Sequence, residues 1–161
     1  MGGQYDVAQI CRNGHVITKR ARGYPQHQKK FCDRCGAEGI MLCPTCGTPI
    51  QGEYDVPGVL SFTDTYRAPA YCPGCSKPYP WTAERLNAAE ELVDLADQLT
   101  DDERAALKRD LPFLTIDSPR TQVATVRSRQ LLAKIRNEAG PALRTILTSI
   151  VTDAVKKGLG L

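Results

Sequence analysis

Seven cysteines and one histidine fall into four short pairs in the first half of a 161-residue chain: Cys11 with His15, Cys32 with Cys35, Cys43 with Cys46, and Cys72 with Cys75. Thiolates and an imidazole at these spacings are ligands for a thiophilic cation, and eight of them make two tetrahedral zinc sites. Seven cysteines would leave an orphan in a disulfide framework; with His15 as the eighth ligand none is left over. Both sets are then closed, with four protein ligands each. That is the pattern of structural zinc rather than of catalytic zinc, which keeps a position open for water or substrate. The other histidine, His27 in Gln26-His27-Gln28, has no ligand partner near it and reads as an exposed loop side chain.

Each Cys-x-x-Cys needs a tight turn, and the following residue supplies it. Gly36 and Gly47 stand where a left-handed residue lets backbone N–H groups point at the sulfurs. Ser76 holds that place after Cys75, and Asn13-Gly14 is a strong turn signal between Cys11 and His15. Three groupings of the pairs are open. In tandem ribbons Cys11, His15, Cys32 and Cys35 share one ion, and Cys43, Cys46, Cys72 and Cys75 the other. In a cross-braced, RING-like arrangement the pairs interleave, and in a nested one the two central pairs join. RING domains bring their middle pairs closer than the seven residues between Cys35 and Cys43, so the spacing favours tandem.

The elements that must position the ligands are short. Val16-Ile17-Thr18 reads as a strand leaving the His15 turn, with Lys30-Phe31-Cys32 as its return. Residues 50–56 read as a strand turning at Pro57-Gly58, with Val59 to Phe62 and then Ala70-Tyr71-Cys72 coming back as partners. The expected fold is α+β: a double zinc-ribbon module over residues 1–80, then a helical domain of about four helices over 81–161. Large aliphatics are few before residue 80, so metal must supply the folding energy that a core does not.

The composition changes near Trp81, beyond which there is no cysteine. Thr82 reads as an N-cap with Trp81 packed on Leu86, and Leu86, Ala89, Val93, Ala96 and Leu99 have helical spacing. Thr100-Asp101-Asp102-Glu103 is a capping box opening a short helix to about Asp110, before Pro112 breaks the chain. Asp117-Ser118-Pro119 starts a third helix to about Asn137. Gly140-Pro141 starts a fourth, with Leu143, Ile146, Leu147, Ile150, Val151 and Ala154 on one apolar face. That face reads first as core and, failing that, as a surface for homo-oligomers.

With Cys11-x-Asn13-Gly14-His15, Phe31-Cys32-x-x-Cys35-Gly36, Cys43-Pro44-x-Cys46, Tyr71-Cys72-x-x-Cys75 and Pro78-Tyr79-Pro80-Trp81-Thr82 in view, the chain resembles a bacterial family of unknown function with zinc-ribbon motifs. The likeness continues through Ser118-Pro119-Arg120-Thr121. It implies a bacterial, cytosolic double zinc-ribbon protein with a helical tail, and brings no reaction or substrate. Ser76 in place of Gly is its local departure.

Function is bounded mainly by exclusion. The start of the chain has neither a basic segment nor an apolar run of secretory length, and no stretch reaches the roughly 18 apolar residues of a membrane span. A cytoplasmic, reducing setting with no membrane contact is expected. No Gly-rich phosphate loop follows a strand, and no Ser/His/Asp set has a spare histidine, so no enzyme is read. A net charge of +3 hides an acidic stretch over 81–118 and a basic one over 119–161. Arg127, Arg129, Lys134 and Arg136 are expected to pair with Glu90, Glu91, Asp94 and Asp97. The basic set in the first ribbon has less acid beside it, and Arg20, Arg22, Lys29 and Lys30 are the candidates for nucleic-acid contact. The preferred reading is an adaptor that presents ribbon and helical surfaces to a protein partner. The alternatives are nucleic-acid binding by the first ribbon, and a RING-like ligase module if the sites are cross-braced.

Overall fold

Gln9, Ile10 and Cys11 are all buried, and the first half of the protein is arranged around the strand they form. The structure, a computed structural model, describes residues 2–56, 58–59 and 66–161, and divides into two units, Met1–Ala83 and Glu84–Leu161. The first unit holds β1 (Gln4–Val7), β2 (Gln9–Cys11), β3 (Val16–Thr18), β4 (Gly39–Ile40) and β5 (Gln51–Asp55). Two small antiparallel sheets result, one of order β3-β2-β4 and one pairing β1 with β5. Ile10 faces Val16 on one side and Ile40 on the other, so the buried strand is hydrogen-bonded along both edges.

Two strand expectations are corrected. Lys30-Phe31-Cys32 does not return on β3: β2 takes that edge, and Phe31 makes only an isolated bridge to Glu38. β5 pairs with β1, Gln4 opposite Asp55 and Tyr5 opposite Tyr54. The return strand expected over Val59 to Phe62, and Pro57 of its turn, lie largely outside the described residues. Tyr71 bridges only Pro78.

The core of this unit is small: Ala8, Ile10, Ile50, Tyr79 and Trp81 gather with Cys43 and Cys72. Helix α1 (Pro80–Asp94) begins earlier than expected, with Pro80 in its first turn, where the missing N–H is no loss. The Tyr79 carbonyl accepts from the N–H groups of Thr82 and Ala83 at 2.9 and 3.0 Å. Thr82 is therefore inside the helix rather than its cap. Trp81 is likewise inside the helix rather than before its cap; its ring stacks on Tyr79 at 4.7 Å, and its Nε1 donates to the Pro69 carbonyl at 2.8 Å.

The second unit contains α2 (Asp101–Leu114), α3 (Pro119–Leu132), α4 (Ala139–Ile150) and α5 (Asp153–Leu159), five helices in all with α1. Their core includes Val93, Leu107, Leu111, Leu114, Leu132, Leu143 and Leu147. The Thr100 capping box forms, with Glu103 N–H donating to Thr100 Oγ1 and Thr100 N–H to Glu103 Oε2. Pro112 does not end α2. Its missing N–H costs about 3 kcal/mol, while burying Leu111 and Leu114 completely returns about 1.5–3 kcal/mol each.

α3 stops short of Asn137 because that side chain is engaged elsewhere. Its Nδ2 donates to the Leu95 carbonyl at 2.9 Å and to Asp97 Oδ1 at 3.0 Å, and its Oδ1 accepts from Ala139 N–H at 3.2 Å. The apolar face expected to run on through Val151 and Ala154 is also cut. Val151 is extended, and Thr152 caps a new helix by accepting from Val155 N–H. Leu143, Leu147 and Val151 are buried within the unit's own core. Among the described residues no helix is long and apolar enough to cross a membrane.

Candidate metal centres

The structure places the eight predicted ligands in two groups: Cys11, His15, Cys32 and Cys35, and Cys43, Cys46, Cys72 and Cys75. This is the tandem grouping. Cys11 and Cys32 belong to one cluster, so the interleaved arrangement, and with it the RING-like reading, is removed.

The geometry of each cluster can be tested against a cation. A tetrahedral ion with zinc-like bond lengths sets S···S edges of about 3.8 Å and N···S edges of about 3.6 Å. In the first cluster His15 Nδ1 lies 3.6, 3.6 and 3.3 Å from the sulfurs of Cys11, Cys32 and Cys35, and Cys11 Sγ lies 3.7 Å from Cys35 Sγ. In the second, Cys43 Sγ to Cys75 Sγ is 3.8 Å and Cys46 Sγ to Cys72 Sγ is 3.6 Å. Both fit, and Nδ1 is the imidazole atom presented.

Three turns of one design build these positions. Cys32 N–H donates to the Ala37 carbonyl and Gly36 N–H to that of Cys32; Cys43, Thr48 and Gly47 repeat the pattern, and so do Cys72, Lys77 and Ser76, at 2.8–2.9 Å throughout. The turn requires positive φ at its fifth place, and Gly36 (71°), Gly47 (74°) and Ser76 (59°) all adopt it. Ser76 thus takes the glycine's conformation without a glycine's freedom. The first pair is one residue longer: Cys11 N–H donates to the His15 carbonyl, and His15 N–H points at Cys11 Sγ from 3.3 Å.

Three or four thiols this close cannot all ionise without a cation among them. Cys35 is drawn down to about 6, chiefly by the amide of Ala37. Cys75 is pushed up to about 12: the Lys77 amide pulls the other way but is outweighed by burial and by Cys46, Cys72 and Cys43. Side chains that the pair spacing did not flag complete the clusters. Asn13 Nδ2 donates to Cys35 Sγ at 3.4 Å, and the Thr48 hydroxyl lies 3.1 Å from Cys46 Sγ. Thr48 also explains Gly74, where any Cβ would meet Thr48 Oγ1 at 2.2 Å. The Tyr79 hydroxyl is buried without a hydrogen-bond partner, and its acidity is reduced first by burial and then by the Cys72 side chain.

The basic residues are arranged differently from expectation. Arg20 bonds Glu53 at 2.7 Å and Asp55 at 3.2 Å, and Lys29 bonds Asp33 at 2.6 Å. Arg22 and Lys30 have no carboxylate partner among the described residues. In the second unit the partners are not those of α1: Arg127 grips Asp110 of α2 with two hydrogen bonds, 2.5 and 2.9 Å, and Lys134 pairs with Glu103.

Over residues 4–159 the chain matches the model of a family described as an uncharacterized protein conserved in bacteria (DUF2321). No curated protein and no solved structure matches it.

Proposed function

The chain belongs to that bacterial family, and we propose that it is a cytoplasmic, zinc-held adaptor that binds a protein partner and performs no chemistry at its metals. Zinc is the cation that suits tetrahedra of four thiolates, or of three thiolates and one imidazole, and such thiolates persist in a reducing compartment. Closed ligand sets support a structural role, since no coordination position is left for a substrate. His27 is stacked on Tyr24 rather than poised beside a nucleophile.

The observation that carries the adaptor reading is an apolar groove along α3. Val123 and Val126 are each 60% exposed. A recess of about 600 Å³, with Thr121, Thr125 and Val155 in its walls, meets one of about 480 Å³ at Gln122 and Val126. Two exposed valines at the junction of adjoining recesses offer a place where a partner's apolar side chain can be buried.

The test is affinity capture from the native bacterium with the full zinc-loaded chain and with Val123→Glu/Val126→Glu. The expected result is a stoichiometric protein partner that is lost from the variant while helicity and metal content are unchanged. Phe31 and Leu42 are large apolar side chains, about half exposed, beside the metal clusters. If no stoichiometric protein is captured, or if the same one stays with this variant and with Phe31→Glu/Leu42→Glu, the reading fails.

A further inference from the structure

Residues 22–31 are all exposed, and the short 3-10 turn within them, Pro25–His27, buries none of its residues. A segment with so little in the core would ordinarily be held loosely, yet here three polar clamps fix its backbone. Asp6 accepts from Arg22 N–H and Gly23 N–H, both at 3.0 Å. Gln28 Nε2 donates to the Ala21 carbonyl at 2.7 Å. Gln9, only 5% exposed, holds Lys29 from both sides: its Nε2 donates to the Lys29 carbonyl and its Oε1 accepts from Lys29 N–H, both at 2.9 Å.

What the clamped segment displays is aromatic and basic. Tyr24 and His27 stack at 5.7 Å with rings 11° apart, and the Arg20 guanidinium lies 5.9 Å from the Tyr24 ring centre. Phe31 is 54% exposed, with Lys30 Nζ 5.4 Å from its ring centre. A recess of about 150 Å³ brings Arg22 beside Tyr5, itself 55% exposed and packed against Tyr54. Asp6 and Asp55 line it too, but Asp6 is engaged by the Arg22 and Gly23 amides and Asp55 by Arg20. Rings held out in water beside Arg22 and Lys30, neither of which has a carboxylate partner among the described residues, suit a ligand with flat apolar faces joined by negative charges.

We infer that the clamped segment from Arg20 to Phe31 is a binding platform for single-stranded nucleic acid, with His27, Tyr24 and Phe31 stacking on bases and Arg22 and Lys30 meeting phosphates. Duplex is disfavoured because its bases are already stacked on one another, leaving the rings nothing to cover. Fixing the loop in advance reduces the ordering entropy that binding must overcome. The inference goes beyond the adaptor reading and does not depend on it.

Fluorescence anisotropy with labelled oligothymidylate and oligouridylate of about 15 nucleotides tests it, using the full zinc-loaded chain at roughly 50 mM salt. Both strands are expected to bind more tightly than a duplex of equal length, and the difference between them distinguishes DNA from RNA. With two phosphates engaged, the slope of log K against log salt is about −1.4. Phe31→Ala and Tyr24→Ala are each expected to weaken binding roughly 5- to 150-fold, while Phe31→Trp retains it. Arg22→Gln/Lys30→Gln removes most of the salt dependence, and decides the matter should an aromatic variant lose its metal. The inference is overturned if neither strand binds, if duplex binds as well, or if polyglutamate competes equally, which would make the surface a general docking patch for acidic protein. It is also overturned if metal-replete variants bind like the parent.

Discussion

Stripping the metal should unfold the first unit and leave the helices of the second standing. The large side chains buried in the first unit, ligands aside, are Val7, Ile10, Ile50, Tyr79 and Trp81. At about 1.5–3 kcal/mol apiece their burial contributes roughly 8–15 kcal/mol. One structural zinc contributes about 10–16 kcal/mol, as much as that whole core, and comparable to the whole 5–15 kcal/mol by which a typical domain is stable. Losing even one ion therefore removes an amount on the scale of the whole margin. Trp81 makes a clean reporter: it is the only tryptophan in the chain, 2% exposed, and packed in the core that contains Cys43 and Cys72. EDTA with a reductant should shift its emission to the red as metal leaves, and restoring zinc should reverse the shift. The far-UV helical signal should largely persist, because the second core contains no buried residue before Ala89. Metal analysis should give two equivalents per chain, one for each cluster. Unchanged Trp81 emission in verified metal-depleted protein would refute the reasoning, as would a native chain carrying less than one equivalent.

Two further substitutions probe individual contacts. Ser76→Gly relieves a left-handed residue at a penalty of about 1–2 kcal/mol, offset by about 0.5–1 kcal/mol of glycine entropy. Zinc-loaded protein should therefore gain roughly 0.5–1 kcal/mol in urea unfolding followed at Trp81, with the metal content unaltered. Arg127→Met strips both donors from Asp110, whose side chain is 3% exposed, and should cost about 2–4 kcal/mol in unfolding followed by helical ellipticity. Asp110→Leu/Arg127→Met should recover most of that loss, and a single variant costing under about 1 kcal/mol would show that the pair is solvated.

The ligand clusters are legible in the sequence because their information is local. A Cys-x-x-Cys with a turn residue behind it fixes its own geometry within six residues, and even Ser76 stands out as the unusual member. Helix starts at Thr100 and Ser118 are local in the same way, and Thr152-Asp153 carries the same signal as Thr100-Asp101, masked by the apolar periodicity that runs through it. Strand pairing is different. β4 has two residues and β2 and β3 three each, too few to show a period, and the partner of Gln4 lies at Asp55, far along the chain. Charge pairing is hidden for a related reason: Asp110 is visible as an acid, but its burial, which makes it the partner of Arg127, comes only from the packing of α2 on α3.

The two clusters share an asymmetry. In each, three ligand residues are buried or half-buried and one is exposed: Cys35 in the first, Cys46 in the second. Peroxides and other electrophiles reach a metal-bound thiolate according to its access, so attack is expected to begin at these two residues. The neighbouring sulfur, Cys11 for Cys35 and Cys72 for Cys46, stands at 3.7 and 3.6 Å, within easy reach of a sulfenic acid formed there. One oxidised sulfur would lead to a disulfide and a released ion, and the released ion takes a large part of the folding energy with it. The lifetime of the first unit in an oxidising medium is thus expected to depend on two exposed cysteines.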